Sequence, residues 1–323
     1  MRVVTKTLFM GLMLLLTIGL TAGGAMAKYP ERPITLAVGF AAGGSTDQAG
    51  RAMAAAAEKI LGVPVVVINK PGGGGTIAAS WLKPKKADGY NLVVLTPAIV
   101  AGGLTKKVPY DIFTDFTPIM RFTGFTHCIA SLADKPWKSL KEMIEFAKKN
   151  PGKVTSGSPG KGSIPYLAAV QLGSVAGVDF KQIPFKGGAP QLAAMLGGHL
   201  DFYNGPPVFW PHVKTGKVNF LAVYADKRLA DYPDVPTVKE VGYDVTAPSP
   251  IGIAAPAGLP DEVAKVLHDA FKKAMQDPNV IKTCKKLQMP MTYEGPKEFE
   301  QTIINMWNYY GSIAEKVGLR IKK

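Results

Sequence analysis

Short apolar runs alternate with longer helical stretches along the N-terminal part of the chain. The first three apolar runs cover Ile34–Phe40, Val63–Asn69 and Asn91–Thr96. An Ala-rich stretch, Asp47–Leu61, and a shorter one, Thr76–Leu82, separate them. Strands separated by helices are typical of βαβ units, which form parallel sheets with helices on both faces. This part of the chain is therefore predicted to be an α/β unit.

The same alternation resumes after a long apolar stretch, Phe116–Leu132, which is predicted to be extended. In the next segment, Ser139–Lys149, the apolar residues recur at helical spacing. They are Leu140, Met143, Ile144 and Ala147. The further predicted elements are strands Lys153–Ser156, Phe180–Phe185, Leu200–Tyr203 and Val218–Ala225, and helices Ser163–Ala176 and Pro190–Leu196. A second α/β unit is therefore expected.

The C-terminal part is too short for a third domain. A Pro-rich segment contains one predicted strand, Ile251–Ala254, and two helices follow at Pro260–Gln276 and Pro296–Val317. These helices are expected to pack on the first unit, giving two lobes, two crossings and a cleft. The predicted organisation is a signal peptide at residues 1–27, a first lobe at 28–125 plus 250–323, and a second lobe at 126–249.

The first residues have the order of a secretory signal peptide. Arg2 and Lys6 precede an apolar run, Leu8–Leu20, and Ala25-Met26-Ala27 matches the A-x-A cleavage signal. The apolar run is shorter than the roughly 20 residues that a membrane-spanning helix needs. No Cys stands at the cleavage point to carry a lipid anchor. Cleavage after Ala27 is therefore predicted, with export to the periplasm and Lys28 as the mature N-terminus.

Positive charge is spread along the whole chain. The formal net charge is +14, and loss of Arg2 and Lys6 with the leader lowers it to +12. There is no basic run with interleaved aromatic residues, which a nucleic-acid groove needs. A dispersed positive field instead favours encounters with small anions. The charge pattern thus argues against a nucleic-acid partner and is compatible with a small anionic ligand.

Two cysteines, Cys128 and Cys284, would enter an oxidising compartment in which disulfides form. Cys128 lies in an apolar, strand-like run and Cys284 in a basic helix. The sequence gives no reason for their Cα atoms to approach within the roughly 7 Å that a bridge needs. Two separate thiols, one of them buried, are the favoured interpretation.

The first Gly-rich loop, Gly39–Asp47, leads from a predicted strand into the Ala-rich helix. Gly43 and Gly44 allow the backbone to approach a ligand closely and to adopt positive φ. Free N–H groups at a helix start can bind a carboxylate without any cationic side chain. A plain capped turn would explain Asp47 well, but it explains two consecutive glycines beside two alanines less well. The loop is therefore predicted to bind a carboxylate through its backbone.

The second loop, Asn69–Gly75, follows a β-branched strand. Gly73, Gly75 and Ala78 match a G-x-G-x-x-A spacing, so a dinucleotide site has to be considered. A proline inside the turn, the absence of an acid about 20 residues further on and the predicted export all argue against it. No cofactor is predicted.

The third loop, Gly157–Ser163, opens a helix in the second unit. It lacks the G-x-x-x-x-G-K-[ST] spacing of a phosphate-binding loop. A Gly- and Ser-rich helix start with one lysine, Lys161, still suits a carboxylate. Lys186, after the strand Phe180–Phe185, is a further candidate cation.

Catalytic and metal-binding patterns are scarce. The histidines share no metal spacing such as H-E-x-x-H, and there is no G-x-S-x-G motif. The histidines are His127, His199, His212 and His268. Ser45 and Ser163 each follow a glycine, but neither has a histidine nearby in sequence. Binding without chemistry and without a metal is predicted, and an exported hydrolase that uses Ser45 or Ser163 is the alternative.

Ten short motifs run in order along the predicted mature chain. In the first unit they are Tyr29-Pro30-x-Arg32-Pro33-Ile34, Phe40-Ala41-Ala42-Gly43-Gly44-x-Thr46-Asp47, Asn69-Lys70-Pro71-Gly72-x-Gly74-Gly75, Ala87-Asp88-Gly89-Tyr90 and Val108-Pro109-Tyr110-Asp111. The later ones are Asn150-Pro151-Gly152-Lys153, Pro184-Phe185-Lys186-Gly187, Lys227-Arg228, Pro233-Asp234-Val235-Pro236-Thr237 and Ala255-Pro256-Ala257-Gly258. Together they resemble the solute-binding proteins of tripartite tricarboxylate transporters, the Bug or TctC family.

The resemblance implies a type II periplasmic-binding fold with two α/β lobes that close on a ligand. It implies a carboxylate held between the first loop and the second-lobe loop, partly by backbone amides and water. The implied first-lobe residues are Ala41, Ala42, Gly43, Thr46 and Asp47. The implied second-lobe residues are Gly157, Ser158, Ser163, Lys186, Gly187 and Asp201. The candidate set is completed by Phe40, Gly44, Gly74, Thr96 and Gly160.

Two segments depart from the family pattern. Ile164-Pro165-Tyr166 stands where many members have Ser- and Thr-rich residues. The segment Phe202–Trp210 is shorter than usual and contains Pro206-Pro207 and Phe209-Trp210. Because the distal end of the ligand is expected to contact these segments, they leave the ligand's identity open.

The sequence therefore predicts a periplasmic receptor for a small organic anion, a di- or tricarboxylate. It is expected to act as a monomer and to deliver its ligand to integral-membrane transporter subunits. A protein that presents the same ligand to a signalling receptor would differ only in its partner.

Overall fold

The computed structural model describes residues 29–158, 160, 162–185 and 188–321. The predicted signal peptide and Lys28 lie outside these residues. The described strands form two five-stranded sheets. The first contains β1 (Ile34–Val38), β2 (Val65–Asn69), β3 (Asn91–Leu95), β4 (Phe116–Phe125) and β10 (Ser249–Pro256). The second contains β5 (Cys128–Leu132), β6 (Thr155–Ser158), β7 (Lys181–Pro184), β8 (Phe202–Gly205) and β9 (Val218–Val223).

Both sheets are mixed, which corrects the expectation of wholly parallel sheets. The strand orders are β2-β1-β3-β10-β4 and β7-β6-β8-β5-β9. In the first sheet β10 runs antiparallel to β3 and β4. In the second, β5 runs antiparallel to β8 and β9. Strands β5 and β10 are each the first strand after the chain crosses from one sheet to the other. No crossover helix within the same sheet precedes them, and such a helix is what makes successive strands parallel.

Helices cover both faces of the sheets, as parallel strands require. They are α1 (Ser45–Leu61), α2 (Thr76–Leu82), α3 (Pro97–Thr105), α4 (Leu140–Lys149), α5 (Ile164–Ala176), α6 (Gly188–Leu196), α7 (Trp210–Lys214), α8 (Asp261–Ala274), α9 (Pro278–Lys286) and α10 (Pro296–Lys316). Alternation along β1 divides the core: Ala37 faces one apolar cluster, while Leu36 and Val38 face the other. Met53 of α1 packs in the second of these clusters.

Helix α4 forms where its apolar spacing predicts it. All four residues of its predicted apolar face are buried, and burial of each large side chain among them contributes about 1.5–3 kcal/mol. Ser139 precedes the helix, and its side chain accepts a hydrogen bond from the Glu142 N–H at 3.2 Å. Such an N-cap satisfies one of the N–H groups that a helix start leaves without a partner.

Helix α3 has no counterpart in the sequence-based prediction. Its sequence is apolar on every side and includes two glycines, so it lacks the 3.6-residue alternation that marks an amphipathic helix. In the structure it is buried over most of its surface. The long stretch Phe116–Leu132 is likewise not one extended segment, because it divides into β4 and β5, which belong to different sheets.

The two cysteines are both free and buried. Cys128 packs in an apolar cluster of the second sheet, and Cys284 packs in a cluster of the first. The interpretation as separate thiols is confirmed, and both thiols are buried where burial of one was expected. The chain passes between the sheets twice, between Phe125 and Cys128 and again between Val223 and Ser249.

Candidate functional site

Three segments of the first sheet converge where β1, β2 and β3 end. They are the loop after β1, the glycine turn after β2 and the start of α3. A Cβ atom at residue 39 would lie 2.6 Å from the Cα of Gly75, so only glycine permits this approach. A Cβ atom at residue 75 would lie 3.5 Å from the Phe40 ring. The predicted first and second loops are therefore in direct contact.

Asp47 holds the first loop together from inside. Its carboxylate accepts hydrogen bonds from the Gly43 N–H at 2.8 Å, the Asn69 side chain at 2.7 Å and Arg51 Nε at 3.0 Å. Asn69 also donates to the Phe40 carbonyl at 3.0 Å. Burial disfavours the charged carboxylate, but the hydrogen bonds from Arg51, Asn69 and Gly43 outweigh it and lower the pKa of Asp47.

This arrangement changes the roles expected of two predicted site residues. The Asp47 side chain is buried and engaged by three donors, and the Gly43 N–H is one of them. The Asp47 carboxylate and the Gly43 N–H therefore bind each other and stabilise the loop itself. Gly43 has a φ of 80°, a conformation that glycine adopts at no steric cost.

The start of α1 provides the donors that the loop offers to a ligand. Gly44 is the N-cap and has no side chain to satisfy the first N–H groups of the helix. A helix start leaves these groups without intrahelical partners and carries a partial positive charge. Ala41 and Ala42 are exposed, and Thr46 is buried beneath the loop. The arrangement is that of an anion-binding helix start.

The second-lobe loop follows β6 and leads into α5. Ser163 is the N-cap of α5 and accepts a hydrogen bond from the Tyr166 N–H at 3.4 Å, while its own N–H donates to the Gly160 carbonyl at 3.1 Å. The Gly157 carbonyl accepts a hydrogen bond from the Gln191 side chain at 2.7 Å. Four residues of the predicted site region lie outside the described residues: Pro159, Lys161, Lys186 and Gly187.

Buried hydroxyl groups without a partner border both loops. In the part of the chain that the structure describes, Ser158 Oγ and Thr96 Oγ1 are buried and have no hydrogen-bond partner. Ser158 ends β6, and Thr96 is the N-cap of α3. An unsatisfied buried hydroxyl costs about 1–3 kcal/mol, so each is a group that a polar ligand could satisfy.

The two lobes approach each other beside these loops. A Cβ atom at Gly162 of the second-lobe loop would lie 3.0 Å from Thr105 Oγ1 of the first lobe. Thr105 is the last residue of α3. Helix α3 therefore runs from the ends of the first-sheet strands to the second-lobe loop.

Asp201 lies at the other end of the second sheet. Its carboxylate accepts hydrogen bonds from Lys135 Nζ at 2.6 Å and from the N–H and hydroxyl of Thr155, each at 2.8 Å. Burial opposes its ionisation, but these donors outweigh burial and lower its pKa. Thr155 begins β6 and Asp201 precedes β8, whereas the loop follows the end of β6. The structure thus separates Asp201 from the other candidate residues.

Lys106 is a cation of this region that the sequence-based candidate set lacks. It follows α3 directly, and its ammonium group donates to the Gly73 carbonyl at 2.7 Å. A Cβ atom at the predicted site residue Gly74 would lie 3.8 Å from Lys106 Nζ. Because α3 itself was not predicted, nothing in the sequence pattern placed Lys106 beside the second loop.

Within the described ranges, no hydrogen bond joins a histidine side chain to Ser45 or Ser163. The histidine side chains that form hydrogen bonds contact Ser249, Asp269 and Tyr293, and the Ser163 hydroxyl serves as a helix cap. Among the described residues there is no cluster of three or more His, Cys, Asp or Glu that could hold a metal ion. No helix in that part of the chain is long and apolar enough to cross a membrane.

Two mixed α/β sheets, each with a Gly-rich loop that leads from a strand into a helix, are consistent with a two-lobed periplasmic-binding fold of type II. The family model of the tripartite tricarboxylate transporter family receptor matches residues 49–319. The chain belongs to this family.

Relatives support the assignment over nearly the full length. A UPF0065 protein of Cupriavidus necator is 39% identical over 305 residues, which cover 94% of this chain and 93% of that protein. MatC from Rhodopseudomonas palustris, solved with bound malate, superposes with a TM-score of 0.80 at 28% identity, covering 88% of this chain and 99% of MatC. An R. palustris protein solved with adipate gives a TM-score of 0.82 at 27% identity, covering 90% of this chain and 98% of that protein.

Proposed function

We propose that this chain is a periplasmic receptor that binds a small di- or tricarboxylate between its lobes without transforming it. It delivers this ligand to the integral-membrane subunits of a tripartite tricarboxylate transporter. The observation that carries the proposal is the start of α1 after Gly44, where no side chain caps the first N–H groups of the helix. Such a helix start binds a carboxylate without needing a cationic side chain.

The proposed site has two walls. The first-lobe wall consists of Phe40, Ala41, Ala42, Gly44 and the first turn of α1, with Thr96 nearby. The second-lobe wall consists of Ser158, Gly160 and the Ser163 helix start, with Lys186 and Gly187 as predicted additions. Asp47 and Asp201 support the two lobes from within and do not contact the ligand. The family relatives solved with malate and adipate support a carboxylate as the ligand.

The binding proposal is tested by thermal unfolding of the purified mature protein against a carboxylate panel. A ligand at 100 times its Kd stabilises the native state by about 2.7 kcal/mol, so the correct acid raises Tm clearly while its neutral methyl ester does not. A panel of di- and tricarboxylates that leaves Tm unchanged would contradict the proposal. Ester hydrolysis that disappears in Ser45→Ala or Ser163→Ala would replace it with the hydrolase alternative.

Location and partner need separate tests. N-terminal sequencing of the native protein should begin at Lys28, and light scattering should give the mass of a monomer. Cells that lack this chain should lose uptake of the identified acid and regain it when the chain is restored. Uptake that persists without the chain would refute delivery to a transporter, even if the acid binds.

A further inference from the structure

Lys106 occupies a junction between three parts of the proposed site. Its ammonium group donates to the Gly73 carbonyl at 2.7 Å and lies next to Gly74 in the second loop. The preceding residue, Thr105, meets Gly162 of the second-lobe loop. The turn that Lys106 contacts is itself packed on the first loop through Gly75 and Gly39.

The charge of Lys106 is unbalanced within the described residues. The side chain is half-buried, and no described carboxylate forms an ion pair with it. Burial lowers the pKa of Lys106, because an ammonium group that loses water without gaining a counter-ion is destabilised. Lys135, which is also half-buried, illustrates the usual solution, since Asp201 lies 2.6 Å from its ammonium group.

The hydrogen bonds of Lys106 are also incomplete. An ammonium group has three N–H donors, and its one acceptor in the described part of the chain is the Gly73 carbonyl. That carbonyl already accepts a hydrogen bond from the Thr76 hydroxyl at 3.1 Å. Two donors of a partly desolvated cation are thus left for a group that the described residues do not supply.

We propose that Lys106 binds a second acidic group of the ligand, while the first acidic group is bound at the start of α1. The inference rests on the proposed function and makes it more specific: the ligand is a diacid whose two carboxylates contact the same lobe. The second acidic group supplies both the missing counter-ion and the missing acceptors. A monoacid leaves Lys106 unpaired.

The inference predicts discrimination between diacids and monoacids. Succinate, glutarate and adipate are each compared with butyrate, pentanoate and hexanoate by calorimetry, using wild type, Lys106→Met and Lys106→Gln. The second variant keeps one N–H donor for the Gly73 carbonyl but removes the charge. Lys107→Met is the matched control, because Lys107 is the exposed neighbour of Lys106.

For the diacid that binds wild type most tightly, both Lys106 variants should lose affinity by about tenfold to a hundredfold. Affinity for the monoacid of the same length should not change, so the preference for the diacid should disappear. Lys107→Met should bind like wild type. In wild type, diacid binding at alkaline pH should also take up protons, measured in buffers of different ionisation enthalpy, because a counter-ion raises the pKa of Lys106 again.

Other outcomes overturn the inference in distinguishable ways. Equal weakening of diacid and monoacid would mean that Lys106 only positions the Gly73 turn. Unchanged affinity in both variants would mean that the ligand does not reach it. If wild type binds none of these diacids but binds a tricarboxylate of the thermal-unfolding panel, the diacid inference fails and the proposed function stands; if it binds no member of that panel, the proposed function fails as well. Thermal unfolding of each variant verifies that the measurements are made on folded protein.

Discussion

The Gly-rich loops of the two lobes occupy equivalent places, since each follows a strand and opens a helix, but they are stabilised differently. In the first lobe a buried carboxylate lies inside the loop, where Asp47 joins Gly43, Asn69 and Arg51. In the second lobe the carboxylate that corresponds to it, Asp201, is only half-buried and lies at the opposite end of the sheet.

The described residues of the second-lobe loop form hydrogen bonds between uncharged groups. These are the Ser163 cap, the Ser163 N–H to the Gly160 carbonyl and the Gln191 side chain to the Gly157 carbonyl, and the Ser158 hydroxyl is buried without a partner among the described residues. Charge-assisted hydrogen bonds are about twice as strong as neutral ones. We infer that the first loop is formed before the ligand arrives and that the ligand supplies the partner that the Ser158 hydroxyl lacks.

The largest expected effect is that of Asp47→Ala. Removal of its charge-assisted hydrogen bonds should lower the free energy of unfolding by about 3–4 kcal/mol, and affinity for the carboxylate ligand should fall at least about tenfold as the loop loosens. Denaturant unfolding and calorimetry measure the two effects. Glu315→Ala is the control, because the exposed Arg320–Glu315 pair should contribute less than about 1 kcal/mol.

Asp201→Ala tests whether the carboxylate of the second lobe differs from Asp47 in its effect on ligand affinity. It should also destabilise the protein, by about 2–3 kcal/mol, but leave ligand affinity unchanged because Asp201 lies away from the loop. A loss of affinity in Asp201→Ala equal to that in Asp47→Ala would show that the two carboxylates have the same role.

The next largest effect is a loss of stability at acid pH, caused by His127 in a segment that connects the lobes. His127 is buried, its Nε2 atom lies 2.8 Å from Ser249 Oγ, and burial lowers its pKa to about 3. Below its ordinary pKa the unfolded state binds a proton that the native state excludes, so stability falls as the pH drops from about 6.5 towards 3. At pH 4.5 the loss should be about 3 kcal/mol.

Unfolding measured across this pH range in His127→Gln should show a flatter pH dependence. His199→Gln removes an exposed histidine and should keep the slope of wild type. If the slope of His127→Gln matches wild type, the acid sensitivity has its origin in other groups.

A smaller effect is expected for Ser163→Ala. Loss of an N-cap hydroxyl should cost about 1 kcal/mol, which denaturant unfolding can resolve. A cost of about 3 kcal/mol or more would mean that the second-lobe loop is held as firmly as the first.

Ser158→Ala should have the smallest effect on stability. Because the hydroxyl is buried without a partner, its removal should leave the free energy of unfolding unchanged or raise it by up to about 1 kcal/mol. Ligand affinity should fall if the ligand completes this loop. A variant that is destabilised by about 2 kcal/mol, with unchanged affinity, would refute that role.

Local sequence features predicted several elements well. The apolar spacing of α4, the β-branched run of β2 and the short helix α2 lie where the pattern indicates. The first loop could be singled out from its glycines and alanines because their conformational freedom is a property of the residues themselves. Helix α3 escaped prediction because a helix buried on all sides has no polar face to mark its period.

The sequence by itself determined the two α/β units, the Gly-rich loops and the helix starts, since each depends on residues close together in the chain. Only the tertiary structure decided which side chains meet. The strand order β2-β1-β3 brings Asn69 to Asp47, and the path of α3 brings Lys106 to Gly73. Such contacts join residues far apart in sequence, and no local pattern encodes which strands are neighbours. Asp201 is an example: the sequence-based candidate set includes it, but the strand arrangement places it at the end of the second sheet opposite the Gly-rich loop.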